Sequence, residues 1–398
     1  MNIIHTADWH LGQTFFEYER SAEHACFLEW LSQQIVENDA DLLLIAGDIF
    51  DSPNPSADSQ KMFYKFLCNV TAIKKGLKII ITAGNHDSGA RLEAPNPLLE
   101  SLNIVIRGTV RRDADGAIDY DRLIVPVNDN MCCLAVPYLR QGDCPASQSH
   151  DKGVQAMYTE LYNLARDKFS EIIAMGHLQA TGSEVSIEDR AERTTIGGLD
   201  RIDPCAFDNK ILYTALGHLH KAQRVSGREN VRYSGAPLPM SFAERYNRQS
   251  VTLIKISGSN CEIDKLEFDA PVKLLSIPRE AQPIDKVLEE IATLPMGDID
   301  NLSPLLEVKV LINEPEPGLR NRIEEALAGR AVRLTRLEAV TKSGATNVAP
   351  KTYDELKKIA PAELAKDIYC LKYGTDDIPQ NIKTLLDSVI KEIEEEER

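Results

Sequence analysis

Five continuous apolar runs stand out along the chain, at residues 3–4, 42–46, 77–81, 172–175 and 211–216. Continuous apolar character, rather than alternation, marks strands buried on both faces, as in a largely parallel sheet. Between the early runs the period changes. Residues 22–37 place Phe27, Leu28, Leu31 and Ile35 at helical spacing, and residues 58–73 do the same with Met62, Phe63, Phe66, Leu67 and Val70. Helices between such strands predict the crossovers of βαβ units.

After Leu123 the runs shorten, and residues 123–127, 132–137, 231–233, 251–256 and 261–268 predict a second sheet. The expectation for residues 1–270 is an α/β domain of two packed sheets flanked by helices. Residues 180–210 are polar and charged and predict a long loop, either beside the site or as a plain surface excursion. Strand-like runs at 272–277, 305–312 and 332–340 alternate with helix-like segments at 283–294 and 317–328, each with proline at or near its start. That order predicts a small α/β domain over residues 271–345.

Residues 350–398 predict C-terminal helices. Thr352 and Glu355 match a capping box. Pro361 can open a second helix. After Gly374 and Pro379, a third carries Ile382, Leu385, Leu386, Val389, Ile390 and Ile393 as one stripe before the acidic end at 394–397. The stripe docks either on the chain's own core or in a partner's groove.

Composition narrows the picture. A net charge of −16 argues against broad, charge-driven contact with nucleic acid. It leaves a nuclease open, because metals can carry the phosphate contact locally. No apolar stretch is long enough to span a bilayer, and the N-terminus lacks a signal peptide's charge and apolar pattern. The 8 cysteines form no CxxC pair, so the expectation is a reduced, cytoplasmic protein with no membrane association.

The chemistry sits where the apolar runs stop. Asp8 and His10 follow the first, Asp48 the second, Asn85 the third, His177 the fourth, and His218 and His220 the fifth. Ligands bind outside the carboxyl ends of parallel strands, so these seven are expected at one rim. They suffice for two metal ions sharing a carboxylate, with Asp48 the best bridge. Carboxylate, amide and imidazole without thiolate suit Mn²⁺ and similar ions, Mg²⁺ among them. His86, after a ligand, is placed to donate a proton to a leaving alkoxide, with a third ligand or a turn residue as the alternatives. Asp87 either fixes its tautomer or holds the turn. Asp51 supports Asp48 or caps a turn. Arg91, after the GNHD turn, either approaches a phosphate or, the reading preferred, is a solvated surface residue, and His5, His24 and His150 read as structural.

The strings Asp8-Trp9-His10-Leu11-Gly12, Gly47-Asp48-Ile49-Phe50-Asp51, Gly84-Asn85-His86-Asp87, Gly176-His177 and Gly217-His218-Leu219-His220 resemble the calcineurin-like metallophosphoesterases. Within them the opening HTADWHLGQTF resembles the double-strand-break repair nucleases. The resemblance is strong over about the first 270 residues. It implies one ion held by Asp8, His10, Asp48 and His220, a second held by Asp48, Asn85, His177 and His218, and His86 as the catalytic histidine. It implies Mn²⁺-dependent 3′→5′ exonuclease activity on double-stranded DNA, endonuclease activity at hairpins and single strands, a DNA-placing capping domain, and terminal helices that bind the coiled-coil base of an ATPase. It also implies pairing of two nuclease subunits, with residues 62–66 as a candidate contact and an ordinary crossover helix as the alternative. A phosphatase or cyclic-nucleotide phosphodiesterase on the same scaffold is the competing function. The phosphatase pattern GDxxDRG is not met, because Ser52 and Pro53 follow Asp51.

Overall fold

The computed structural model describes residues 1–183, 202–258, 260–313, 316 and 318–341, with a few isolated positions between 366 and 383. The first sheet is built around four parallel strands: β1 (Asn2–Thr6), β2 (Leu42–Ala46), β3 (Lys78–Thr82) and β4 (Ile104–Arg107). The first two connections carry α1 (Ser21–Glu37) and α2 (Ala57–Ile73). The second sheet contains β5 (Ile124–Pro126), β6 (Met131–Ala135), β7 (Glu171–His177), β8 (Tyr213–Gly217), β9 (Gln223–Val225) and β10 (Arg228–Tyr233), with α3 (His150–Arg166) between β6 and β7. Its order is β9-β10-β8-β7-β6-β5. The chain then returns to the first sheet as β11 (Ser250–Ser257) and β12 (Asn260–Glu267), giving the order β12-β11-β1-β2-β3-β4.

Two expectations are corrected here. Residues 251–256 and 261–268 belong to the first sheet, running antiparallel beyond β1, not to the second. The five ligand-bearing runs divide between sheets, three in the first and two in the second. An apolar run reports that a strand is buried; it does not report which neighbour buries it.

Side chains alternate along each strand, and both faces find cover. Leu42, Leu44 and Ala46 of β2 pack with Ile173, Met175, Tyr213 and Ala215 of the facing sheet. Leu43 and Ile45 turn the other way, onto Phe27 and Leu31 of α1 and Phe63 and Phe66 of α2. On the far side, Val154, Met157, Tyr158 and Leu161 of α3 cover Ile172 and Ala174. The result is a sandwich of two sheets with helices outside. Helix α2 starts where the side chain of Ser56 accepts the N–H of Ser59.

Further along, β13 (Leu274–Gln282), α4 (Ile284–Ile291), β14 (Leu305–Ile312), α5 (Leu319–Ala326) and β15 (Arg333–Thr341) realise the βαβαβ order, with a three-stranded sheet β13-β14-β15. The chain divides into two compact units. One comprises residues 1–276, 294–307 and 329–336, and the other 277–293, 308–328 and 337 onward. The expected capping box at Thr352 and Glu355, and nearly all of the helices expected over 350–398, lie outside the described residues, as does most of the 180–210 loop.

Candidate metal centre

Four of the seven expected ligands hold a left-handed backbone: Asp8 at φ 56°, His10 at 48°, Asp48 at 50° and His218 at 103°. Each lies just beyond the end of its strand. Such conformations cost about 1–3 kcal/mol apiece, and they persist where neighbouring structure over-determines them. Here the turns fasten one another. Asp8 N–H donates to the Gly47 carbonyl at 3.0 Å, His10 N–H to the Asp48 carbonyl at 3.0 Å, and Leu11 N–H to the Ile49 carbonyl at 2.9 Å. His86 N–H donates to Asp48 Oδ1 and His218 N–H to Asp8 Oδ1, both at 2.9 Å. Glycine makes this closeness possible. A Cβ at Gly47 would lie 2.8 Å from Cγ of His177, and one at Gly217 would lie 2.8 Å from Nδ1 of the same ring.

The structure brings all seven together. His177 Nδ1 donates to the Ala46 carbonyl at 2.9 Å, which turns Nε2 toward Asp48 Oδ2 at 3.2 Å and Asn85 Oδ1 at 3.0 Å. Asn85 Oδ1 also lies 3.0 Å from Nδ1 of His218. Asp8, His10 and His220 form a second group with ligand atoms within 4.8 Å of one another, and His10 Nε2 is 3.7 Å from Asp48 Oδ2. Asp48 therefore stands between the two groups. Carboxylate and amide oxygens converge with imidazole nitrogens in a buried volume, a donor set that fits two divalent cations. Asp48 and His177 form a buried charge pair. Burial opposes ionisation of Asp48, yet the charge of His177 holds it well below the usual carboxylate range. Burial likewise opposes protonation of His177, and Asp48 overcomes it, raising the ring to about 9. His218 goes the other way, lowered to about 3 by burial and by the His177 charge.

His86 sits at the edge of this cluster, its ring centroid 4.8 Å from that of His10. Its Nδ1 donates to the backbone carbonyl of Asp51 at 3.0 Å. The carboxylate of Asp51 lies 3.3 Å from Nδ1 of His10. Asp51 thus orients two imidazoles, one through its side chain and one through its main chain. Of the two roles expected for Asp87, the geometry shows the turn-holding one. Its carboxylate accepts N–H bonds from Gly84 at 2.9 Å, Phe50 at 3.0 Å and Ile49 at 3.1 Å, clamping the turn after β3 to the turn after β2. The partner of His86 Nδ1 is the Asp51 carbonyl rather than Asp87. Burial and the neighbouring Asp48 raise Asp87 to about 6.

One member of the site was not anticipated. Glu244, 4% exposed, places Oε1 at 4.0 Å from His220 Nδ1 while Oε2 accepts the N–H of Met240 at 2.9 Å. A glutamate in a short helical turn after the last motif leaves no periodic or spacing signal. The other expectations fall into place. His5 and His24 are buried with Nδ1 2.9 Å from the Tyr213 hydroxyl and Nε2 2.8 Å from the Trp9 carbonyl respectively. His150 opens α3, and Arg91 donates to Asn54 on the surface. Phe63 and Phe66 are core residues packed against Trp9, so α2 is an ordinary crossover helix on that face. Its other side forms, with α1, a groove of about 670 Å³ lined by Leu28, Met62, Lys65 and Ile73.

Residues 1–222 match the family described as calcineurin-like phosphoesterase, and residues 270–373 match one described as type 5 capsule protein repressor C-terminal domain. The chain is similar to the SbcD subunit of the SbcCD nuclease of Rhodobacter capsulatus, 32% identical over 92% of this chain and 93% of that one. The SbcD subunit of Escherichia coli K12 is 30% identical over 81% of each chain. That of Bacillus subtilis is 30% identical over 64% of this chain and 66% of the relative.

Proposed function

The chain belongs to the SbcD nucleases of the calcineurin-like phosphoesterase family, and from that premise we propose that it cleaves DNA as a two-metal phosphodiesterase. The proposed activities are 3′→5′ exonuclease on double-stranded ends and endonuclease on single strands and hairpins. The proposed setting is DNA repair, recombination and replication in the cytoplasm, with an SbcC-type ATPase bound through the terminal helices. The observation that carries this is the convergence of Asp8, His10, Asp48, Asn85, His177, His218 and His220 at one end of two facing sheets.

Asp8, His10, Asp48 and His220 would hold one ion, and Asp48, Asn85, His177 and His218 the other, with Mn²⁺ favoured over Mg²⁺. Bound ions of this kind acidify a water and neutralise charge on the phosphodiester. The chain's own residues do the rest. Asp48 stays ionised and is held by the His86 amide. His86, its Nδ1 occupied by Asp51, presents a protonated Nε2 to the departing alkoxide. The α1–α2 groove, with Ile73 exposed at its rim, suits a second copy of the chain.

The test is incubation of purified protein with Mn²⁺ and either an end-labelled duplex or p-nitrophenyl phosphate, with and without an SbcC-type partner. Progressive shortening of the duplex is expected. Release of nitrophenol with an intact duplex would instead place the chain with the phosphatases or cyclic-nucleotide phosphodiesterases.

A further inference from the structure

Among the described residues, the large aromatic side chains left exposed are Phe16, at 52%, and Tyr246, at 70%. Both belong to segments tied to the metal centre. Phe16 follows the His10 motif and sits at φ 56°, a left-handed conformation that a bulky residue rarely adopts. Its ring lies 6.1 Å from that of Phe242, which with Phe15 is buried and forms the floor beneath it. Tyr246 ends the short helical turn Phe242–Tyr246, and that turn contains Glu244, the residue facing His220. The Arg245 guanidinium stands 4.5 Å over the Tyr246 ring while Nη1 donates to the Phe242 carbonyl.

We propose that Phe16 and Tyr246 form a stacking platform for unpaired bases of the DNA strand entering the metal centre. The proposal rests on the nuclease reading above and adds the form of substrate the site accepts. A chain with net charge −16 offers a strand no general attraction, so local contacts must hold it. A π face serves every base alike, which suits an enzyme that reads no sequence. Arg245 completes the platform with a cation over one face of the Tyr246 ring, able to meet a backbone phosphate. The ties from Arg20 hold the Phe16 segment in register with the rest: its Nη1 donates to Gln13 at 3.0 Å and to the Pro239 carbonyl at 2.7 Å.

The experiment uses the full chain with Mn²⁺ and three substrates: a 3′-tailed duplex, the same duplex with an abasic tail, and bis(p-nitrophenyl) phosphate. Phe16→Ala and Tyr246→Ala should each raise KM for the tailed duplex on the order of tenfold. Their hydrolysis of the small ester should stay at the wild-type rate. The wild type should show a similar penalty on the abasic tail, and Tyr246→Phe should behave as wild type, because the ring and not the hydroxyl stacks. Equal KM for tailed DNA in wild type and both alanine variants overturns the platform alone. So does unchanged KM combined with lost binding of an SbcC-type ATPase, which would make the patch a protein interface. A wild type that hydrolyses the ester but no DNA overturns the nuclease reading, and the platform with it.

Discussion

Gly84 touches Asp48 so closely that a methyl carbon at Gly84 would overlap Oδ1 and lie 2.7 Å from the carboxyl carbon. Gly84→Ala must therefore push the central carboxylate out of place or break the turn that carries Asn85. Displacing a group that orients metal ligands typically costs 10- to 100-fold in affinity, and a loss of about that size is expected here. Calorimetric titration with Mn²⁺ measures it. Wild-type affinity in Gly84→Ala would mean that Asp48 does not need its present position.

His86→Ala should leave Mn²⁺ affinity near wild type and lower DNA cleavage by about 10²- to 10⁴-fold, the usual contribution of a positioned acid. An ester with a p-nitrophenolate leaving group needs no proton, so its hydrolysis should fall far less. An equal loss on both substrates, or loss of both ions, would refute the acid role.

Asp87→Asn replaces an oxygen that accepts N–H bonds by an amide nitrogen that cannot. With Oδ2 shared by Gly84 and Ile49 and Oδ1 taken by Phe50, either amide orientation leaves at least one buried N–H unmatched. The cost should be about 1–3 kcal/mol of stability, read from urea unfolding. Unchanged stability would show that the clamp between the two turns contributes nothing.

The residues that converge at the candidate site were legible because each follows a buried strand, and a buried strand announces itself as an apolar run. Helices α1 and α2 were legible for the same kind of reason: Phe27, Leu31, Phe63 and Val70 recur at the helical period and are all fully buried. What was hidden depends on which elements meet. Residues 251–256 carry the same apolar signature whether they pair with β1 or with the second sheet, and only the path of the chain decides. The tie from Asp51 to His86 runs through a backbone carbonyl, which every residue possesses. Glu244 reaches His220 only after the chain has folded back on itself.

Arg20 and Glu23 form a two-pronged ion pair in the core, Nε to Oε1 at 2.9 Å and Nη2 to Oε2 at 2.8 Å, with the arginine side chain fully buried. Arg20→Leu would strand the Glu23 charge and leave Gln13 and Pro239 without their donor. A destabilisation of about 3–5 kcal/mol is expected. The double variant Arg20→Leu, Glu23→Leu should recover part of that loss, because no buried charge remains. If the double variant were no more stable than the single one, the stranded charge would not be the cause.

His5 and His24 give the fold a defined sensitivity to acid. Both are completely buried, and burial lowers each from the ordinary 6.5 to about 3, with Arg20 adding to the effect at His24. The folded state keeps both rings neutral while the unfolded chain protonates them below about pH 6.5. A group whose folded pKa is depressed contributes stability that is present above its unfolded pKa and lost as pH falls toward its folded pKa. Between about pH 6.5 and 3, each histidine should remove about 1.4 kcal/mol of stability per pH unit. His24→Gln keeps a donor for the Trp9 carbonyl and has nothing to titrate. Urea unfolding from pH 7 to 4.5 should show a slope smaller than wild type by about one proton for His24→Gln. Identical slopes would mean that His24 is protonated within the folded protein.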